Sequence, residues 1–264
     1  MHYPLIVEDQ WHKSITIKAP VKRIVSLVPS LSELLADAGL KSLMVGVTGY
    51  CVHPGELLRD ITPIGGTKDP DIEKIIGLKP DLVIANKEEN TKPDVDALRA
   101  AGVNVFVTDI NTFDDVYDML SKLERIFCTG TFLQLSQQIK DKWQPLKGCL
   151  SPYKVVYMIW RKPYMTAGKG TFIDYLLDYL GLDNVVKEER YPAFTAEELS
   201  ALSPDVLMLS SEPFPFSAKF IPEFNEICPN AAPLLVDGEA FSWYGSRLCT
   251  SADYIREEMV PAFR

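Results

Sequence analysis

The sequence predicts an α/β protein built from two pseudo-symmetric, doubly wound lobes, and three observations carry that prediction. The stretch "LKPDLVIANKEEN" (Leu78 to Asn90) returns as "LSPDVLMLSSEPF" (Leu202 to Phe214). Positions 78 and 202 differ by 124, as do Glu88 and Glu212, and so do Glu73 and Glu197 in the segments "DIEKIIG" and "TAEELSA" that lead into them. A period of this length is too long for a solenoid unit, which leaves a duplicated lobe. Second, continuous apolar strands alternate with short amphipathic helices, the pattern of parallel sheets covered on both faces. Third, "TFDDVYDMLSKLERIF" and "TGTFLQLSQQIKDKWQPLKG" keep helical periodicity for over thirty residues between the halves. One long helix joining two lobes makes a stiff linker.

The elements follow in order. "HKSITI" alternates and reads as a short strand, half of a hairpin with the residues before it. "RIVSLV" is a buried strand, and "PSLSELLADAGL" opens a helix with Ser30 as N-cap, Glu33 completing a capping box and Gly39 as the stop. "LMVGVT" is a second strand, "DIEKIIGL" a helix ending near Pro80, "DLVIAN" a third strand, "KPDVDALRAAG" a helix and "NVFVTD" a fourth strand. Thr129-Gly130 breaks the central helical stretch in two. The second half repeats the scheme with strand "KVVYMIW", helices "TFIDYLLDYLGL" and "TAEELSAL", strands "DVLMLSS" and "APLLVD", and a closing helix "SADYIREEMVPAF". The expected division is residues 1–128 as an N-terminal α/β lobe with a β arm, 129–147 as the bridging helix, and 148–264 as the C-terminal α/β lobe.

Composition narrows the function classes. With 47% hydrophobic and 24% charged residues the chain has ample material for a core. Its net charge of −9 and the lack of any basic run argue against nucleic acid as a partner. No apolar stretch approaches the ~18 residues of a membrane span. "MHYPLIVEDQ" has neither a basic nor an apolar leader region, and the five cysteines are odd in number and widely spaced. As written, the sequence reads as cytoplasmic; it reads as periplasmic if a signal peptide was removed.

Several chemistries can be weighed by residue. Only His2, His12 and His53 are present, and two of them lie in the N-terminal arm, which argues against a three-imidazole metal site. Cys51 and His53 in "YCVHP" stand two apart, where an extended backbone points both side chains one way. With Glu88 or Glu89 opposite they form a candidate zinc or iron site; the alternative is a buried thiol beside a capping histidine. The same pair could serve as nucleophile and base, but no third member is evident. "AGKGT" fails as a phosphate loop because Tyr164 stands where a glycine is needed. The chain therefore reads as a binding protein rather than an enzyme, with no intrinsic cofactor.

The segments "RIVSLVPSLSELLADAGL", "VGVTGYCVHP", "IGGTKDPDIEKIIGLKPDLVIANKEEN", "MTAGKGTFIDYLLDYLGLDNVV" and "TAEELSALSPDVLML", in this order, resemble the helical-backbone substrate-binding proteins. These serve bacterial ABC importers of cobalamin, ferric siderophores and haem. The similarity runs from about Asp9 to the C-terminus. It implies two α/β lobes joined by one backbone helix, with the ligand cleft between the lobes. It implies a metal chelate as ligand (cobalamin, ferric siderophore or haem), a monomeric receptor, and an ABC permease as partner. The family's permease-docking acids, one at the tip of each lobe, map onto Glu73 and Glu197. Acids there also stabilise a helix start through its dipole. The chain departs from the family's cobalamin receptors after the third strand, where a tryptophan is usual and Asn86 to Glu89 stand here. An intracellular metal or chelate carrier, and a Cys51/His53-dependent enzyme on the same frame, are the alternative readings.

Loops at the carboxyl ends of parallel strands are where α/β folds hold ligands. Those loops here carry Tyr50, Asn86, Trp160, Arg161, Tyr164, Phe214, Trp243, Tyr244 and Arg247. Aromatic rings suit a planar apolar ligand face, and arginines suit its carboxylates. Trp160, Trp243 and Arg247 are expected to line one site on the C-terminal lobe.

Overall fold

The computed structural model describes residues 2–55, 57–150 and 152–263. The chain divides into two compact units, residues 1–138 with 244–247 and residues 139–243 with 248–264.

In the first unit, β1 (Leu5–Glu8) and β2 (Ser14–Ile17) pair as the expected antiparallel hairpin. Asp9, fully buried, holds its turn: the carboxylate accepts from the N–H groups of Trp11 (2.9 Å) and Lys13 (2.8 Å) and pairs with Arg99 at 2.5 Å. There follow β3 (Ile24–Ser26), α1 (Pro29–Asp37), β4 (Met44–Val47), α2 (Leu57–Asp60), β5 (Thr62–Pro63), α3 (Ile72–Gly77), β6 (Leu82–Asn86), α4 (Lys92–Ala100), β7 (Val105–Thr108) and α5 (Phe113–Phe127). The sheet is parallel throughout, in the order β5-β4-β3-β6-β7. The chain winds outward from β3 to β5, then crosses to β6 and β7, so the topological switch lies between β3 and β6. All residues of β3, β6 and β7 are buried, as uninterrupted apolar runs require.

One expected feature of this unit is corrected. Ser30 does not cap α1: Val28 is the N-cap and Pro29 opens the helix, where a missing N–H costs nothing. Ser30 and Ser32 are buried within the helix, and Ser32 Oγ donates to the Val28 carbonyl at 2.9 Å. The helix break at Thr129-Gly130 is present, with Cys128 (φ 51°) and Gly130 (φ 77°) in left-handed backbone. The following helix α6 (Thr131–Trp143) contains the boundary between the two units.

The second unit contains β8 (Lys154–Trp160), β9 (Tyr164–Thr166), α7 (Phe172–Leu180), β10 (Asp183–Asn184), β11 (Ala193–Phe194), α8 (Ala196–Ala201), β12 (Val206–Ser210), α9 (Ile221–Ile227), β13 (Ala232–Val236) and α10 (Gly238–Ser242). Then come α11 (Arg247–Tyr254), a π-helical turn at Ile255–Met259 and α12 (Val260–Ala262). Strands β8, β12 and β13 run parallel, while β9 turns back antiparallel on β8 and β11 pairs antiparallel with β9. "WRKPYMTAGKG", expected as a plain loop, thus supplies a strand, and "EAFS" is helical.

The repeat seen in sequence is a repeat of backbone chemistry. Helices α3 and α8 begin at 72 and 196, and strands β6 and β12 begin at 82 and 206, each pair 124 apart. In both copies of Leu-x-Pro-Asp the second residue adopts positive φ (Lys79 49°, Ser203 46°). The aspartate then ties the motif to the neighbouring strand: Asp81 Oδ2 accepts from Arg23 N at 2.9 Å and Asp205 Oδ2 from Lys154 N at 2.8 Å. At the strand ends, Asn86 Oδ1 accepts from Glu88 N (2.8 Å) and Ser210 Oγ from Glu212 N (3.3 Å). Short polar side chains that bond the backbone two residues on stop a strand and start a turn.

Candidate functional site

The carboxyl edge of the second unit's sheet gathers most of the candidate residues. Trp160 ends β8, is 39% exposed, and meets Phe214, from the loop after β12, edge to face at 5.6 Å. Phe214 continues the cluster to Phe216 (4.8 Å) and Phe220 (5.2 Å). Trp160 Nε1 donates to the Lys162 carbonyl at 3.2 Å, which fixes the ring at the rim. An exposed tryptophan backed by packed phenylalanines is an apolar shelf held in place from behind.

Arg161 and Tyr164 converge on a residue not singled out from sequence. Glu223, in the first turn of α9, accepts from Arg161 Nε and from the Tyr164 hydroxyl, both at 2.7 Å. Burial, the largest single influence on Glu223, works to raise its pKa; the two hydrogen bonds together outweigh it and hold the carboxyl below its usual range. Tyr164 is pushed up to about 12, first by burial and then by its bond to Glu223. Arg161 also lies 5.0 Å from the Phe220 ring centroid.

Trp243 follows α10 and is half-buried. The Glu212 carboxylate accepts its indole N–H and also Ser242 Oγ at 2.7 Å. Burial raises the Glu212 pKa against these two donors. Gly238 is required here: a Cβ would stand 2.5 Å from both Ser210 Oγ and Glu212 Cγ. Glu212 was visible in sequence only as a repeat partner of Glu88, because its contact with Trp243 joins loops after different strands.

The first unit has its own carboxyl edge. Tyr50, after β4, is 64% exposed. Asn86 is corrected as a ligand contact: it is fully buried, its amide donates to the Thr108 carbonyl (3.2 Å) and hydroxyl (3.0 Å), and its oxygen holds the N–H groups of Glu88 and Glu89. It shapes the loop and offers no atom to a ligand. Tyr244 and Arg247 cluster with this unit, whereas Trp160 and Trp243 belong to the second. Tyr244 is buried, and Arg247 grips both oxygens of Glu33 through Nε (3.0 Å) and Nη2 (2.7 Å). Glu33, expected in a capping box, is the residue sequence reasoning misplaced; 214 positions separate it from its partner.

The Cys51/His53 metal site is corrected as well. The Cys51 thiol is buried between Ser32 Oγ (3.1 Å) and Thr48 Oγ1 (3.3 Å), and burial raises its pKa. Burial outweighs the two hydroxyl contacts, which act to lower the pKa, and a thiol held protonated by burial is a poor metal ligand and a poor nucleophile. Among the described residues, no group of three or more His, Cys, Asp and Glu side chains is placed to hold a metal ion.

Glu89 is half-buried beside Lys68, whose Nζ donates to the Glu88 carbonyl; burial raises its pKa and Lys68 only partly opposes this. A carboxyl that holds its proton to higher pH in the folded state than in the unfolded chain costs stability as pH climbs from the unfolded value through the folded one. Glu89→Gln, neutral at every pH, should therefore raise the melting temperature at pH 8 and leave it unchanged at pH 4. Equal shifts at the two pH values would remove Glu89 as the source.

Glu73 and Glu197 occupy the second position of α3 and α8, and both are exposed. Asp71 caps the first helix and Thr195, in a capping box with Glu198, caps the second. Capping is thus done by neighbours, and neither Glu73 nor Glu197 is needed for it.

These features can be set against known proteins. The chain is 28% identical over 221 residues to the uncharacterized ABC transporter substrate-binding lipoprotein YvrC of Bacillus subtilis (strain 168), covering 78% of this chain and 69% of that one. It is 26% identical over 197 residues to the vitamin B12-binding protein of Vibrio cholerae, covering 72% and 71%. A periplasmic heme-binding protein from Pseudomonas aeruginosa superposes with a TM-score of 0.75 at 22% identity, over 92% of this chain and 94% of that one, a likeness of fold. The family model described as periplasmic binding protein matches residues 24–226, from the first residue of β3 into α9. With both copies of the Leu-x-Pro-Asp repeat inside that match, which spans well over half of the chain, the chain belongs to the periplasmic binding protein family.

Proposed function

We propose that this protein is the substrate-binding component of an ABC importer and that its cargo is a metal chelate. The observation that carries this reading is the aromatic shelf of Trp160 and Phe214 at the carboxyl edge of β8 and β12, with Trp243 presented after β13. Flat rings at a loop edge suit the apolar face of a corrin, a porphyrin or a siderophore backbone. The relatives point the same way, one an ABC substrate-binding lipoprotein and one a vitamin B12-binding protein. They also support a working place outside the cytoplasm; the cytoplasmic reading finds no support among them. The enzyme alternative loses its candidate nucleophile with the protonated, buried Cys51. Glu73 and Glu197 are proposed as the docking acids that meet basic residues of the permease, the receptor acting as a single chain.

The test is a thermal-shift and tryptophan-emission screen against cyanocobalamin, haemin, neutral and acidic ferric siderophores and free metals. A ligand at a hundred times its Kd adds about 2.7 kcal/mol of stability. For the ligand found, Trp160→Ala and Trp243→Ala are each expected to weaken binding roughly ten- to a hundred-fold, on the order of 1–3 kcal/mol. The apo melting temperatures are measured alongside. Strong destabilisation with unchanged affinity would reassign the tryptophans to the core.

A further inference from the structure

The apolar shelf of the second unit is edged with positive charge. Residues 160–164 and 214–224, which form the shelf and its backing, hold Arg161, Lys162 and Lys219 against a single acid, Glu223. All of them lie within that one unit. On a chain of net charge −9, three cations to one acid beside an exposed tryptophan is a local reversal of sign. The aromatic cluster places these charges. The Arg161 guanidinium lies 5.0 Å and Lys219 Nζ 4.8 Å from the centroid of one ring, Phe220. Phe220 packs on Phe214 at 5.2 Å, and Phe214 meets Trp160 at 5.6 Å. Lys162 is exposed, and its carbonyl accepts the Trp160 indole N–H at 3.2 Å, so its backbone is tied to the shelf.

Glu223 answers only part of this charge. It takes Arg161 by Nε and Tyr164 by the hydroxyl, both at 2.7 Å, and it feels the charge of Lys162 as well. Among the described residues, Arg161 Nη1 and Nη2 donate to nothing, and the side chain is 31% exposed. An arginine held at Nε keeps its Nη1–Nη2 edge, which donates two parallel bonds to a second carboxylate. Glu223 and Tyr164 thus act as positioning residues for that edge. Lys162 Nζ and Lys219 Nζ also have no hydrogen-bond or ion-pair partner among the described residues. The nearest other acids in sequence are differently placed. Glu212 takes the hydroxyl of Ser242 and the indole N–H of Trp243, and Glu226 is exposed one turn further along α9.

We infer that this edge is a carboxylate subsite: the chelate seated on the Trp160–Phe214 shelf bears ionised carboxylates at its periphery, and Arg161, Lys162 and Lys219 take them. This rests on the reading of the protein as a chelate receptor. Ring stacking on the shelf and charge pairing at its edge then select together for an acid-edged chelate over an amide-edged one of the same shape.

The experiment compares matched pairs on the full chain by calorimetry: haemin against its derivative with both carboxylates converted to amides, cyanocobalamin against the derivative with one peripheral amide hydrolysed to the acid, and a neutral ferric trihydroxamate against its tricarboxylate analogue. In whichever pair binds, the carboxylate member is expected to be at least tenfold tighter. Lys162→Gln/Lys219→Gln, two exposed substitutions, should shrink that gap several-fold while the affinity for the neutral member stays within about twofold. A neutral member that binds as tightly as its acid, or a gap that the double variant leaves unchanged, overturns the inference. A second arm needs no ligand. Emission quenching by iodide and by caesium, each normalised to acrylamide, is read for Trp160 by difference with Trp160→Phe. Iodide should outperform caesium there, against the net charge of the chain, and its advantage should fall in the double lysine variant. Caesium outperforming iodide, or an advantage the variant leaves unchanged, overturns the inference. If no chelate of either charge binds, the receptor reading fails, and the quenching still decides whether the shelf edge is an anion site.

Discussion

Arg247→Leu is expected to lower the unfolding free energy by about 3–5 kcal/mol, the usual consequence of removing one partner from a buried ion pair. In a chain of this size that corresponds to a fall in melting temperature on the order of ten degrees. The cause is local. Glu33 lies on the inner side of α1 with a side-chain exposure of 14%, and burial already raises its pKa even with Arg247 against it. Without the guanidinium it is a half-buried acid that has lost its hydrogen-bonded counter-charge. The segment that carries Arg247 is also closely fitted, since Gly245 (φ 97°) leaves room for a Cβ only 3.2 Å from Leu34. Glu33→Leu/Arg247→Leu should recover most of the loss, because a well-packed apolar pair replaces the ion pair without an orphaned charge. Calorimetry on the two single variants and the double variant measures the coupling. A double variant no more stable than Arg247→Leu would show that the stability comes from the packing of the arginine stem rather than from the pair.

The largest functional effect is expected from Glu73→Lys/Glu197→Lys. Uptake through the cognate importer should be abolished, while the affinity for the ligand stays within about twofold and the melting temperature within a few degrees. Both residues stand at the second position of their helices, exposed, with the N-caps supplied by Asp71 and Thr195. The stability change is then limited to reversing a favourable helix-dipole interaction, about 0.3–1 kcal/mol at each end. On the docking role proposed for the pair, transport has no such tolerance, because a lysine set against basic permease residues would replace attraction by repulsion. Growth dependent on the imported chelate reads the transport, and calorimetry on the purified double variant reads the binding. Loss of ligand affinity in that variant would place the two residues in the binding site instead.

The origin of the pair's equivalence was legible before any coordinates. An offset of 124 joins Glu73 to Glu197, and the same offset joins the starts of α3 and α8. Local chemistry explains why. The Leu-x-Pro-Asp motif sets a positive-φ residue, a proline and a strand-anchoring aspartate in fixed succession, so like sequence produces like backbone in each unit. Helix and strand periods, the break at Thr129-Gly130 and the candidate loops follow from interactions within a few residues, which is why they could be read from order alone.

What the sequence by itself determined, then, was the α/β class, the duplication and the loops in which ligand chemistry would reside. It did not determine which atoms of those loops are free, because their partners come from distant parts of the chain. Asn86 looked like a ligand contact and is spent on Thr108 and its own loop. Arg161 and Arg247 looked like open donors; Arg161 turns its Nε onto Glu223, and Arg247 grips both oxygens of Glu33. Cys51 and His53 looked like a metal pair until Ser32 and Thr48 were found on the thiol. Residues 244–247 cluster with the first unit although they lie within 20 residues or so of the C-terminus. Only the tertiary structure decides such pairings: hydrogen bonds and ion pairs act over about 3 Å, and sequence separation carries no information about distance at that scale.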